Sequence, residues 1–435
     1  MHESLRSYEQ KSLDTLETAL ERTAMYESWR KRDPGPAEHI DTRYSSLPCL
    51  TKADIRAHFP DGVVPRGMDW KAALQRGEIS FVQTSGTTHE ALTNIWNQEW
   101  WDASERASWK LNSAASSAAT GAHREAILAS ALSVGTRSDG PGIDRQKRTL
   151  GRFLFLNEYG STAEWPENHE RRMLEELQDF QPDVLEANPS LLARLARYAR
   201  RTGSEVYQPK LVTLTYEFPS ALQLRAIRRI ISSPVVSSHG STEAGYVFME
   251  CEHGRFHQNA EYCRVDLLPL GMDGIGRMFV TTFGNRWFPL LRFEIGDIGR
   301  LSHEPCPCGR RFGLTLSSIE GRLISLCQAA DGSIVTHRQI DDALALVPGI
   351  EEYRLDQESA QSILLSAVIA DSPRESALGQ AREALHGLFG SDMTVRAQAV
   401  HGLVPEKSGK LLLVKRGFPL YGDAAEASIA GTHVG

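Results

Sequence analysis

Between residues 79 and 240, short apolar runs of strand length alternate with stretches whose apolar residues recur at helical spacing. That alternation restricts the chain to an α/β sheet with helices on its faces. Residues 79–82, 126–134, 183–187, 211–216 and 234–238 read as strands, the first of them buried and ending at a turn. Residues 173–177, 189–200 and 220–231 read as helices. From 245 to 300 the period shortens to two, and glycines and prolines punctuate the run, which predicts antiparallel strands and hairpins. Beyond Gly321-Arg322 the order becomes helix 337–346, strands 350–357 and 361–370, helix 374–389 and strand 393–400. That is the pattern of a small α+β domain. With 435 residues the chain exceeds what one core serves, so two domains are expected, 1–322 and 323–435.

The N-terminal residues 1–26 read as an amphipathic helix with no signal-peptide core, and no later stretch is long enough to span a bilayer. A net charge of −7 argues against a nucleic-acid binder. The expectation is therefore a cytoplasmic protein without membrane or nucleic-acid partners, with a homodimer as the base-rate assembly.

Three motifs carry the chemistry. Thr84-Ser85-Gly86-Thr87-Thr88 surrounds one glycine with hydroxyls after an apolar run, a loop whose amides and hydroxyls can donate to phosphate oxygens. His239-Gly240-Ser241-Thr242-Glu243 follows a strand. It offers hydroxyls for phosphate and one carboxylate for Mg2+, which needs few protein ligands. A helix capped by Ser241 or Thr242 is the alternative there. Asp297, after Arg292-Phe293-Glu294-Ile295-Gly296, is placed to accept both hydroxyls of a ribose, or else is a turn aspartate at a strand end.

With Leu-Pro-Cys-Leu-Thr-Lys-Ala-Asp at 47–54, Gly-Arg at 321–322 and Ser-Gly-Lys at 408–410, this ordered set resembles the adenylate-forming superfamily of acyl-CoA synthetases. The phenylacetate–CoA ligase branch is the nearest, and the resemblance covers nearly the whole chain. It implies a large N-terminal domain and a small mobile C-terminal one. Thr84, Ser85, Gly86, Thr87 and Thr88 would hold the β- and γ-phosphates of ATP. Thr242 and Glu243 would meet the α-phosphate and Mg2+, with Gly240 and Ser241 completing that loop. Asp297 and Arg322 would hold the ribose, and Lys410 would enter the site for adenylation. Glu217, after Tyr216, sits where relatives border adenine, and His239 where they carry an aromatic that stacks on it.

The cysteines add a metal site. Cys251 and His257 flank a glycine turn, and Cys306-Pro-Cys308 is a second tight loop; three sulfurs and one imidazole suit structural zinc. Some members of the resembled family carry zinc at matching cysteines. His253 competes with His257, but a residue at a hairpin tip points outward. Cys263 is excluded by distance, being roughly 20 Å along an extended strand from His257. Cys49, Cys263 and Cys327 read as packing residues. Trp96, Trp100 and Trp101 read as core, and Arg194, Arg197, Arg200 and Arg201 as the solvated face of a helix.

The chain departs from the family at three places. His89-Glu90-Ala91 stands where a glycine and a proline are usual, Leu323-Ile324-Ser325 replaces polar hinge residues, and Phe293-Glu294-Ile295 alters the surroundings of Arg292. The implied function is ATP-dependent activation of a carboxylic acid, aryl by family weight, as acyl-AMP, followed by transfer to coenzyme A. Transfer to a carrier-protein thiol or an amine is one alternative, and a nucleotide- or acyl-binding module without turnover is another.

Overall fold

The computed structural model describes residues 2–84, 92–134, 142–370, 372–406 and 410–420. A 12-stranded sheet runs through the first three quarters of the chain. At one end lie Glu125–Leu128, Phe153–Phe155, Val184–Ala187, Leu211–Leu214 and Val235–Ser241, paired in parallel. From Val235–Ser241 onward the pairing turns antiparallel, through Gly245–Glu250, Phe256–Gln258, Thr315–Arg322, Phe293–Leu301, Ile275–Thr282 and Cys263–Met272. The switch in sequence period near residue 245 is thus the change of pairing within one sheet.

Helices cover both faces of the parallel half, because crossover connections leave no other place for them. His169–Phe180, Pro189–Thr202 and Ala221–Arg228 bury Met173, Leu177, Leu192, Leu195 and Ile227 against Leu128, Leu185, Val212 and Leu214. Gln98–Trp109 and Ser113–Ala118 cover the other face, with Trp109 and Ala115 on Val184, Leu211, Val236 and Met249. The N-terminal helix His2–Glu17 continues through a π-turn and a 3-10 segment, and its Leu16, Ala19 and Leu20 pack with Phe288, Leu290 and Phe293 of the antiparallel half. Among the described residues no helix is long and apolar enough to cross a membrane.

Past Arg322, Ile350–Ser359, Ser362–Ile369, Thr394–Ala399 and Val414–Arg416 form a separate four-stranded sheet, backed by His337–Ala345 and Arg374–Phe389. Its apolar core is its own, apart from Leu222 and Ala221 of the preceding layer. Several polar contacts tie this unit down. Arg197 pairs with Glu352, Arg200 NH2 lies 2.7 Å from Glu351, and the Ala221 amide donates to Asp341 at 2.7 Å. Arg197 is therefore joined to a carboxylate of another unit rather than solvated, while Arg200 makes such a contact and stays exposed. Arg194 and Arg201 face Glu170 and Tyr198 within their own layer.

Other expectations need correcting. The strand at Ser80–Gln83 is largely exposed, since it pairs only with Thr93–Trp96 in a two-stranded ribbon. The run 126–134 breaks after Leu128, and Ala131–Val134 forms a helical turn. Asp297 lies within Phe293–Leu301 rather than at its end. The apolar residues after Arg322 form one 3-10 turn whose Leu323 packs beside Ile275, Ile298 and Leu326.

Gly321 at the junction has φ +112°, and a Cβ there would lie 2.7 Å from His337 Cβ. Gly321→Ala is expected to cost about 1–3 kcal/mol of stability through strain and crowding. Chemical denaturation of the full chain tests this; an unchanged midpoint would contradict it.

Candidate active site and metal cluster

Val235–Ser241 and Gly245–Glu250 are adjacent antiparallel strands, so Thr242, Glu243 and Ala244 form a tight turn between them. The capped-helix alternative is thereby corrected: Ser241 Oγ accepts from the Ala244 amide at 3.1 Å inside a hairpin. Gly240 admits no side chain, because a Cβ would lie 2.1 Å from the Gly245 carbonyl oxygen. Asn94 Nδ2 donates to the Thr242 carbonyl at 2.8 Å, which brings the Ser80–Trp96 ribbon against this turn. Thr84 closes the described part of that ribbon, its amide donating to Leu92 O at 2.8 Å and its hydroxyl accepting from the Leu92 amide at 3.2 Å. Ser85, Gly86, Thr87, Thr88 and the departure at 89–91 lie outside the described residues, as do Ser408 and Gly409.

Glu243 is buried, and Lys52 Nζ lies 3.4 Å from its Oε1. Sequence reasoning quoted Lys52 only as part of a motif. Two local features place it. Leu50 exchanges backbone hydrogen bonds with Arg292 and Glu294 at 2.9 Å each, docking the segment beside the strand that bears Asp297. Thr51 and Asp54 then form a reciprocal capping box that starts the helix Lys52–His58 at that point. The signal was legible: a cap fixed by Thr51 and Asp54 leaves the next residue, a lysine, at a determined position.

Asp297 faces its cross-strand partner Arg322, with Nε 3.4 Å from Oδ1, and His239 Nε2 lies 3.7 Å from Oδ2. Burial holds the His239 imidazole below the ordinary histidine value, with Asp297 opposing. Glu217 is tied down on two sides, accepting from Ser190 Oγ at 2.6 Å and from the Leu411 amide at 3.0 Å. Burial pushes its carboxyl up.

Lys410 completes the set from the far end of the chain. Burial pushes its ammonium below the ordinary lysine value, against the opposing pull of Glu217, Asp297 and Glu243 and with Arg322 adding to the depression. Thr242, Glu243, Glu217, His239, Asp297, Arg322 and Lys410 therefore share one cleft, although Lys410 lies far beyond all the others along the chain. A cluster with two or more cations and three carboxylates can hold a polyphosphate nucleotide by its phosphates and its sugar hydroxyls.

The second cluster is separate in chemistry. Ligand atoms of Cys251, His257, Cys306 and Cys308 all lie within 4.8 Å of one another, a donor set that can hold a metal ion. The Cys251 amide donates to Arg255 O at 2.8 Å, closing the hairpin that sets Cys251 just past the end of one strand and His257 on its partner. His257 Nε2 lies 3.2 Å from Cys308 Sγ and its Nδ1 3.3 Å from Thr315 Oγ1, so the hydroxyl orients the ring while the other nitrogen faces the sulfurs. His253 stands outside this group and meets Cys251 Sγ only through its amide. Cys263 is buried elsewhere, its thiol on Asn259 O at 3.4 Å.

No established family profile matches the chain. Its sequence is 26% identical over 325 residues to phenylacetate–coenzyme A ligase of Thermus thermophilus, covering 70% of this chain and 66% of that one. It is 23% identical over 288 residues to protein CapK of Staphylococcus aureus, covering 64% and 63%. The match thus spans somewhat less than two thirds of either relative. The fold superposes on a 2-hydroxyisobutyryl-CoA ligase in the postadenylation state, complexed with its acyl-AMP, at TM-score 0.70 and 16% identity over 98% of this chain and 91% of that one. Against the same enzyme in its thioesterification state the TM-score is 0.55, at 17% identity and 98% and 92% coverage. The chain thus has the fold of the adenylate-forming enzymes, and its sequence is similar to that of a phenylacetate–CoA ligase.

Proposed function

We propose that the chain activates a carboxylic acid with ATP and passes the acyl group to a thiol, coenzyme A. In the first step a carboxylate oxygen attacks the α-phosphorus, and the bond to the bridging oxygen breaks, giving acyl-AMP and pyrophosphate. In the second the thiol sulfur attacks the acyl carbon and AMP leaves. The observation that carries this reading is the position of Lys410, brought from the last described segment into the cleft of Glu217, Glu243, Asp297 and Arg322. Charge accumulates on the phosphate oxygens as the carboxylate attacks, and an ammonium held there lowers that barrier. Asp297 and Arg322 are set to hold the ribose, with His239 as a flat ring beside them. Glu243 and Thr242 suit the α-phosphate. The buried Glu243 carboxylate, with the Lys52 ammonium 3.4 Å from its Oε1, also suits Mg2+. That ion, when bound, neutralises phosphate charge.

We place the domain boundary between 322 and 323, with residues 323–435 as the mobile unit that carries the lysine. The better superposition on a postadenylation form than on a thioesterification form supports reading the present arrangement as the one that serves adenylation. The thiolate and imidazole cluster suits zinc in a structural role, four protein ligands leaving no open position for a substrate.

Lys410→Ala is expected to slow acyl-adenylate formation about 100- to 1,000-fold while leaving thiolysis of supplied acyl-adenylate largely intact. Equal loss of both half-reactions would contradict the assignment. The pH dependence follows from the depressed ammonium. The charged form is the useful one, so adenylation is retained below the folded pKa of Lys410 and lost as pH rises through it, earlier than an ordinary lysine would dictate. Lys410→Arg should remove that alkaline limb, and an unchanged profile would argue against the role. Metal analysis of the purified protein should find about one equivalent of zinc. Cys306→Ser should reduce both that content and the thermal midpoint, and less than half an equivalent in the unsubstituted protein would end the zinc reading.

A further inference from the structure

Register across the parallel strands aligns Ile127, Glu186, Thr213 and Val236 on one face of the sheet, with Glu125, Val184 and Leu211 one step before them. This is the face covered by Gln98–Trp109 and Ser113–Ala118, and its lower part is apolar, with Val184, Leu211, Val236 and Met249 packed on Trp109. Toward the C-terminal ends of the strands the same face turns polar, with Glu186, Thr213 and Ser238. Glu105 enters from the covering helix. The Tyr246 hydroxyl donates to its Oε1 at 2.7 Å, and the Tyr216 hydroxyl donates to Glu186.

Two further observations mark the place as a ligand pocket rather than a packed polar patch. Thr213 and Ser238 are 4% and 9% exposed, yet neither hydroxyl has a hydrogen-bond partner. Buried hydroxyls in that condition are costly and uncommon. Glu105, Glu186 and Tyr216 keep partial solvent access although they lie inside the layer between sheet and helix, so they border a crevice. Both tyrosines adjoin residues of the cleft: Tyr216 immediately precedes Glu217 at a strained left-handed φ of +75°, and Tyr246 follows the turn that carries Glu243.

The chemistry is one-sided. Both tyrosine protons are committed to carboxylates, leaving carboxylate and hydroxyl oxygens as the free functions. Burial pushes the Glu186 carboxyl up to about 8, with Glu125 adding to it, and raises Glu105 well above its usual range, with Glu186 and Glu125 adding. Burial and mutual repulsion disfavour two ionised carboxylates so placed, and an ammonium, which brings a positive charge and three donors, relieves both. An apolar group would leave the same oxygens desolvated and unmatched.

We infer that the acid taken by this site carries a protonatable amino group, which Glu186 and Glu105 bind while its carboxylate faces the nucleotide residues. This rests on the adenylation reading, and the test separates the two. Matched pairs of acids differing only in an ammonium and a methyl group serve as probes: 5-aminopentanoate with hexanoate, 3-(aminomethyl)benzoate with 3-ethylbenzoate, and phenylalanine with 2-methyl-3-phenylpropanoate. ATP–pyrophosphate exchange and calorimetric binding are measured on the full chain. In at least one pair the amine should be favoured in kcat/KM by about 100-fold or more. Glu186→Gln should erase most of that preference by raising KM for the amine members; Glu105→Gln serves as a second variant. Exchange with the methyl members at equal or better efficiency, or a preference untouched by both variants, overturns the inference alone. Amine-selective binding with no exchange overturns the adenylation reading and supports amine recognition. Absence of both exchange and binding with every amine overturns the inference as well.

Discussion

The docking of the segment at Lys410 and Leu411 onto Glu217 is the contact on which the site depends. One amide hydrogen bond at 3.0 Å fixes the backbone, and the lysine that precedes it then has little choice but to enter the cleft. Without that contact the cleft holds Glu243, Glu217 and Asp297 against Lys52 and Arg322, an excess of carboxylate poorly suited to a triphosphate. With it, a third cation is delivered from a unit that has its own core and its own sheet. The ion pairs of Arg197 and Arg200 with Glu352 and Glu351, and the Ala221 amide on Asp341, hold the same unit at a second edge. Any rotation of that unit about residues 322–325 must break both sets together.

The sheet explains why the remaining groups converge. Apart from the antiparallel edge strand Thr149–Leu150, its strands are parallel up to Val235–Ser241 and antiparallel beyond, and the turn bearing Thr242 and Glu243 sits at that change. Ligand positions in open α/β sheets lie at the carboxyl ends of strands, where loops from neighbouring strands face one another. Here those ends supply Glu217 and the polar face of Glu186, Thr213 and Ser238. The antiparallel half contributes Asp297 from within a strand and the N-terminal segment contributes Lys52 by pairing at Leu50. The residues proposed for the nucleotide and those proposed for the amine thus share a floor.

Much of this was legible in the residues, for reasons that can be named. Alternating periods gave the sheet and its helices, and Thr51 three residues before Asp54 is the sequence pattern of a capping box. Cys251, His257, Cys306 and Cys308 could be selected because hairpin geometry places two residues flanking a glycine turn side by side. Illegible were features that depend on partners distant in sequence. The run 126–134 is apolar throughout, so nothing local shows that it turns into a helix after Leu128. Val414–Arg416 is three residues with two cations, a strand only because Leu355, Asp356 and Gln357 receive it. Arg197 reads as solvated until the unit with Glu352 is laid upon it. Glu186 sits in a Val-Leu-Glu-Ala strand that reads as buried, and its carboxylate passes as an exception until register shows that Thr213 lies beside it.

The most direct measurement is a crystal structure of the full chain with an ATP analogue whose α,β bridge cannot be cleaved. The sugar hydroxyls should lie on Asp297, the α-phosphate beside Thr242 and Glu243, and the Lys410 ammonium within hydrogen-bonding distance of a phosphate oxygen. A nucleotide bound with its phosphates away from Glu243, or with Lys410 turned from it, would contradict the shared cleft as the seat of chemistry.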